Sequence, residues 1–132
     1  ESKSGERFSF GLPLNEPKAG ASFTAPVYLL IDRYSYSNAV SVAAIVQDYK
    51  FGRIIGEKTA DLATTYGAME HFTLQHSGIT VGYPKALIVR PNGDRRPDGV
   101  SPDIMITERA VLSSEADGIK AAHRLIMAEL KL

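Results

Sequence analysis

Pro26 to Gly56 reads PVYLLIDRYSYSNAVSVAAIVQDYKFGRIIG, and its two apolar ends with an apolar stretch between them decide the fold class. PVYLLID is a short, nearly continuous run with β-branched and aromatic members. That is the pattern of a strand buried on both faces of a sheet, so a central strand is expected. From Ser37 to Tyr49, SNAVSVAAIVQDY sets Ala39, Val42, Ala43 and Val46 at helical spacing, with Val40, Ala44 and Ile45 filling much of the remainder. A helix buried nearly all round is expected. Phe51 and Gly52 end it, and Arg53 to Ile55 form a second short strand closed by Gly56. Strand, helix and strand in this order predict a parallel pair and an α/β fold.

Downstream, a loop from Glu57 to Gly67 leads to AMEHFTL and ITVGY, whose alternation around His76, Ser77 and Gly78 predicts a β-hairpin. Pro84 is expected to end its second arm, with ALIVR as a separate strand. PNGDRRPDGVSPD is turn chemistry throughout. Ser114 with Asp117 resembles a capping box, opening a helix with Ile119, Ala122, Ile126 and Leu130 on one apolar face. Upstream, residues 1–25 are rich in Ser, Gly, Pro and Lys around one apolar patch from Phe8 to Leu14, and read as a linker or irregular arm. ESKSGERFSFGLPLNEPKAG has no basic-then-apolar leader pattern, so a segment of a longer protein is expected.

An apolar fraction of 44% with 23% charged residues is that of an ordinary globular domain rather than a disordered chain. The longest apolar run, Pro26 to Ile31, is far short of the roughly 20 residues a membrane helix needs. Fifteen basic and fifteen acidic residues are interspersed, so no long-range field draws in nucleic acid or an anionic membrane. The absence of cysteine removes disulfides, thiolate chemistry and cysteine-based zinc sites.

In open α/β sheets, ligands collect at the carboxyl ends of parallel strands, where helix N-termini also point. RYSYSN and GEKTADL hold those positions, on one rim of the expected sheet. Ser37 stands at the helix N-terminus, and the Asn38 N–H beside it could donate to an oxyanion. The same two residue types are also what a purely structural N-cap demands. Lys58 shares the rim, and a partly desolvated lysine can act as a base, although GEKT also suits an exposed polar loop. Asp48, eleven residues along the helix from Ser37, lies about 16 Å away and cannot orient a base there. Arg90, Arg95 and Arg96 make a small basic turn that could hold a carboxylate or simply be solvated. Nothing in the sequence brings His71, His76 or His123 near Ser37. There is no GxSxG elbow and no HExxH, so neither a cofactor nor a metal is expected.

Taken together, IDRYSYSNAV, VQDYKFGRIIGEKT and DGVSPDI resemble, in order and spacing, the tail-specific or C-terminal processing serine peptidases, from about Pro26 to Ile106. The resemblance implies a ClpP/crotonase-like ββα core, here partial, with a β-hairpin and a C-terminal helix added. Residues 26–132 would be the C-terminal part of a serine peptidase catalytic domain. Ser37, the second serine of the SxS segment, would be the nucleophile and Asn38 the backbone oxyanion donor. A second donor would come from a glycine-rich segment upstream. Two departures stand out. Many members read GExTFGKG with a glutamine four residues beyond the lysine, where this chain has GEKTADLATTY, with Leu62 at the lysine position and Tyr66 at the glutamine position. Lys58 matches a different, non-catalytic lysine. A tricorn-like branch uses an upstream histidine and a glutamate shortly before GVxPD; here that stretch is Arg95, Arg96, Pro97 and Asp98, of which only Asp98 is acidic.

The expected activity is therefore serine endopeptidase chemistry through an acyl-enzyme, with a base supplied from the remainder of the chain upstream and polypeptides as substrates. The isolated segment is expected to be inactive. Lys58 as an alternative base is a further reading. The alternative function is a non-catalytic relative used for peptide binding or assembly, with Leu62 recording loss of the base. The resemblance also implies an extracytoplasmic address, periplasmic or secreted.

Overall fold

The computed structural model describes residues 5–11, 13, 15, 16, 18–20, 22–106 and 115–131. Described residues between Gly5 and Ala25 form neither helix nor strand. Regular secondary structure among the described residues begins with β1 (Tyr28–Ile31), α1 (Asn38–Tyr49) and β2 (Arg53–Gly56). β1 and β2 pair in parallel from Tyr28↔Arg53 to Ile31↔Gly56, as the apolar runs predict. A short β5 (Ile104–Met105) joins the other edge of β2, also in parallel, giving the order β1-β2-β5. The expectation for PVYLLID is corrected here, because β2 is central and β1 is an edge among the described residues.

Each face of the sheet carries its own core. On one side Leu29, Ile31 and Ile54 meet Val40, Ala43 and Ala44 of α1, together with Ala63 and Val100. On the other, Tyr28, Ile55, Ile104 and Ile106 meet α2 (Glu115–Leu130) through Ala121, Ala122 and Ile126. Adjacent Ile54 and Ile55 therefore point to opposite layers, as the two-residue strand period requires. Both are fully buried, each removing a side chain from water at about 1.5–3 kcal/mol. Alanines at the helix contacts let both helices lie close to the sheet.

Three expectations about the helices change. Only one face of α1 is buried: Val42 is 49% exposed and Ile45 39%. An all-round mixture of Ala and Val marks no face by itself, and the sheet selects Val40, Ala43 and Ala44. Lys50, with φ 60°, takes the left-handed position ending α1 and returns its N–H to the Val46 carbonyl. Gly52 instead serves close approach, since a Cβ there would press on the Val27 carbonyl oxygen. On α2, Ile119 and Leu130 are exposed and Ala121 joins the buried face. Ser114, expected to open that helix, lies outside the described residues.

β3 (Thr65–Thr73) and β4 (Thr80–Ile88) form the expected antiparallel hairpin, in register from Thr65↔Ile88 to Thr73↔Thr80. Gly78, at φ 70°, supplies the left-handed residue of its turn and donates to the Leu74 carbonyl. β4 runs straight through Pro84, so the expected break and separate ALIVR strand merge into one. Both strands of a two-stranded ribbon are edges, where a proline is tolerated.

Candidate active site

The carboxyl ends of β1 and β2 open into two loops, residues 32–37 and 57–64, and hydrogen bonds tie the loops together. Ala60 N–H donates to the Arg33 carbonyl at 3.2 Å. Arg33 donates to Glu57 through Nε at 3.2 Å and Nη2 at 2.7 Å. This fork holds the Glu57 carboxyl below its ordinary range.

The two serines of the SxS segment have different surroundings. Ser35 is part of a closed turn: its hydroxyl donates to Asp32 Oδ1 at 3.1 Å and accepts the Asp32 N–H at 3.1 Å. Asp32 Oδ1 also accepts the Tyr34 N–H at 3.0 Å. Ser37 occupies the N-cap position of α1, yet its hydroxyl makes no side-chain cap bond. The reason is local. The N–H groups of Ala39 and Val40, which a capping serine normally satisfies, already donate to the carbonyls of Tyr36 at 3.1 Å and Ser37 at 3.0 Å. Ser37 itself has φ 55° and ψ −118°, outside the regions an L-residue ordinarily occupies. Such a conformation costs about 1–3 kcal/mol and persists only where neighbours enforce it.

One enforcing neighbour is Asp61, whose Oδ2 accepts the Ser37 N–H at 2.7 Å. No hydrogen bond engages the Asn38 N–H among the described residues. The head of α1 therefore presents an exposed, unbonded hydroxyl beside an unbonded N–H, with no acidic residue in the first turn of the helix itself. Chemically, such a pair can present a nucleophilic oxygen and one hydrogen-bond donor to a carbonyl group.

The DGVSPDI segment is stitched to the same rim by Thr59, which is buried. Thr59 N–H donates to the Val100 carbonyl at 3.1 Å, and the Val100 N–H returns to Thr59 Oγ1 at 2.9 Å. Thr59 Oγ1 donates in turn to the Asp61 carbonyl at 2.8 Å, so a short chain of bonds runs from Val100 to Ser37. At Gly99 the backbone passes so close to the Thr59 carbonyl that a Cβ would not fit. Farther along, Asp103 accepts the Ile54 N–H at 2.8 Å and so anchors β5 to β2.

Lys58, on the same loop, pairs with Asp98 at 2.5 Å. That hydrogen bond holds the Asp98 carboxyl below its ordinary value. Leu62 is half-buried, and its N–H donates to Asp61 Oδ1 at 2.9 Å. The expected basic turn disperses. Arg90 pairs with Asp48, while Arg96 embraces Asp94 and lowers its carboxyl to about 2. His71 and His76 lie on the hairpin, and His123 on α2, across the sheet from α1. No grouping of three or more His, Asp or Glu suited to a metal occurs among the described residues. Nor is any described helix long and apolar enough to cross a membrane.

Asp61 and Thr59 were not singled out by the sequence. Asp61 lies 24 residues from Ser37, and only the parallel register of β1 and β2 brings the two loops together. One signal was available, since an acid near a helix N-terminus is favourable and α1 has none of its own.

Solved structures resemble part of this fold. Mature CPAF superposes with a TM-score of 0.50 at 28% identity, covering 61% of this chain and 15% of that one. The photosystem II D1 C-terminal processing protease superposes with a TM-score of 0.51 at 27% identity, covering 70% of this chain and 26% of that one. The chain thus spans about a quarter or less of either structure's length. No curated protein matches the sequence. The model of Peptidase family S41 matches residues 3–106, starting inside the stretch read as an irregular arm and ending just past β5. With that match running through both loops of the rim and the segment stitched to them, the chain belongs to peptidase family S41.

Proposed function

We propose that this chain is the C-terminal part, residues 26–132, of a serine endopeptidase catalytic domain with a ClpP/crotonase-like core, and that Ser37 is its nucleophile. One observation carries the reading: in an S41 chain, Ser37 holds a strained backbone conformation at a strand-to-helix turn while its hydroxyl has no structural partner. Strain of this kind concentrates at functional sites, and a sharp strand-to-helix turn is how other hydrolases lift a serine clear of the fold.

Ser37 Oγ attacks the peptide carbonyl, forming the Oγ–C bond, and its proton passes to a base. The Asn38 N–H donates to the developing oxyanion, a contribution of roughly 3–4 kcal/mol for a well-placed donor. Collapse breaks the C–N bond, the leaving amine takes the proton, and water then hydrolyses the acyl-enzyme. The base is a histidine contributed by the upstream part of the peptidase chain, along with a second oxyanion donor. Lys58 is the weaker candidate because acting as a base requires it to give up Asp98. The substrates are polypeptides, and the address is extracytoplasmic, periplasmic or secreted, a reading that rests on the resemblance to tail-specific peptidases alone.

Hydrolysis of an unfolded polypeptide by the full-length protein tests this reading. Lys58→Ala is expected to retain activity within about fivefold, as for loss of an exposed ion pair, and Ser37→Ala to retain none. Cleavage surviving Ser37→Ala would overturn the assignment, and a Lys58→Ala enzyme as inactive as Ser37→Ala would move the base to Lys58. A full-length protein that binds peptides without cleaving them would instead be the peptide-binding or assembly relative, a reading favoured by Leu62 at the lysine position.

A further inference from the structure

Asp61 is bonded on both carboxylate oxygens and on its carbonyl. Oδ2 accepts the Ser37 N–H at 2.7 Å, Oδ1 accepts the Leu62 N–H at 2.9 Å, and the main-chain oxygen accepts Thr59 Oγ1 at 2.8 Å. Its position is therefore fixed by its own loop, and the loop is fixed by buried Thr59 against Val100. What Asp61 grips is the backbone of a residue at φ 55° and ψ −118°.

Two N–H groups at the head of α1 could serve an oxyanion, those of Ser37 and Asn38. Asp61 occupies the first and leaves the second unbonded. Without that acceptor, Ser37 would be free to relax toward the extended conformation usual at an N-cap, in which its hydroxyl turns inward to the helix N–H groups. Building on the assignment of Ser37 as nucleophile, we propose that Asp61 is a positioning residue for it. The Asp61 carboxylate holds the Ser37 N–H, keeps the hydroxyl out of the capping position, and reserves the Asn38 N–H for the substrate carbonyl. Its role is that of a fixed acceptor and involves no proton transfer. An asparagine, which keeps a side-chain carbonyl oxygen, should largely replace it, losing chiefly the bond to the Leu62 N–H.

The test is the rate at which a fluorophosphonate labels the full-length protein, resolved into a maximal rate and a half-saturating concentration. Asp61→Ala is expected to lower the maximal rate roughly 10- to 100-fold, the range for loss of a charge-assisted hydrogen bond, with half-saturation changed less than about twofold. Asp61→Asn is expected to recover labelling to within about threefold of the parent. A merely structural loop residue would not show this rescue at constant half-saturation. Parental labelling by Asp61→Ala, or an Asp61→Asn variant as slow as Asp61→Ala, overturns the role of Asp61 and leaves Ser37 untouched. A parent protein that takes no label overturns the Ser37 assignment and the positioning role with it. Should Asp61→Ala fail to fold, Asp61→Glu takes its place, keeping the charge but displacing the acceptor by one methylene. Slowed labelling then supports the role, and parental labelling overturns it.

Discussion

Ser37→Gly in the full-length protein is expected to raise stability and abolish catalysis together. Glycine adopts positive φ without the clash of a Cβ, so relieving the conformation at φ 55° and ψ −118° should stabilise the fold by about 1 kcal/mol. No structural hydrogen bond is lost, because the Ser37 hydroxyl makes no cap bond. Peptide hydrolysis, however, should fall by at least about 1,000-fold, since loss of a nucleophile leaves only the residual rate from binding and oxyanion stabilisation. Ser37→Ala keeps the Cβ and hence the strain, so it should lose activity equally without the gain in stability. Urea denaturation and a peptide-hydrolysis assay on the two variants read both effects. A Ser37→Gly protein less stable than Ser37→Ala would mean that the backbone at this position is not strained.

Arg90→Ala is expected to cost about 3–5 kcal/mol, the range for removing one partner of a buried ion pair. The side chains of Arg90 and Asp48 are 11% and 4% exposed. Arg90 donates to Asp48 through Nε at 3.0 Å and Nη2 at 2.6 Å, and to Gln47 Oε1 at 2.9 Å. Asn92 adds its N–H at 3.1 Å and Nδ2 at 3.0 Å. Burial alone would raise the Asp48 carboxyl, but the hydrogen bonds from Arg90 and Asn92 outweigh it and hold it below its ordinary value. Removing Arg90 leaves that charge buried without its counter-ion. Replacing both partners by leucine and methionine should cost much less than Arg90→Ala alone.

The sign of the pH effect follows from the depressed carboxyl. Its stabilising contribution is complete above the unfolded value of about 3.9 and is lost as pH falls through the lower folded value. Urea midpoints measured from pH 7 downward should therefore fall more steeply below about pH 4 for the parent than for Asp48→Asn. Parallel curves would show that the pair does not govern acid stability. The same network fastens the C-terminal half of α1 to the segment that follows β4, so it also steadies the helix that carries Ser37.

What could be read from the sequence was whatever length and period encode. PVYLLID and RIIG are too short for helices and too apolar for loops, and the intervening helix forces their parallel pairing. The hairpin was legible from alternation around a glycine turn. β5 was not, because a two-residue strand has no period, and GVSPD reads as turns until Asp103 grips the Ile54 N–H. Pro84 misled because the rule against proline in strands applies to central strands, and this ribbon has none. At the site, position along the chain picked out Ser37, Asn38 and Lys58. The carboxylate that contacts the Ser37 backbone belongs to a loop 24 residues away, and no local pattern announces that contact. Asp48 was correctly set apart from Ser37 by distance, but its pairing with Arg90 across 42 residues is likewise a product of folding.

The central claim, that Ser37 is the nucleophile, is tested most directly by mapping the adduct formed when the full-length protein meets a fluorophosphonate. One phosphonyl group on the peptide containing Ser37, absent from Ser37→Ala, is the predicted result. A stoichiometric adduct on any other residue, or labelling that persists in Ser37→Ala, would contradict it.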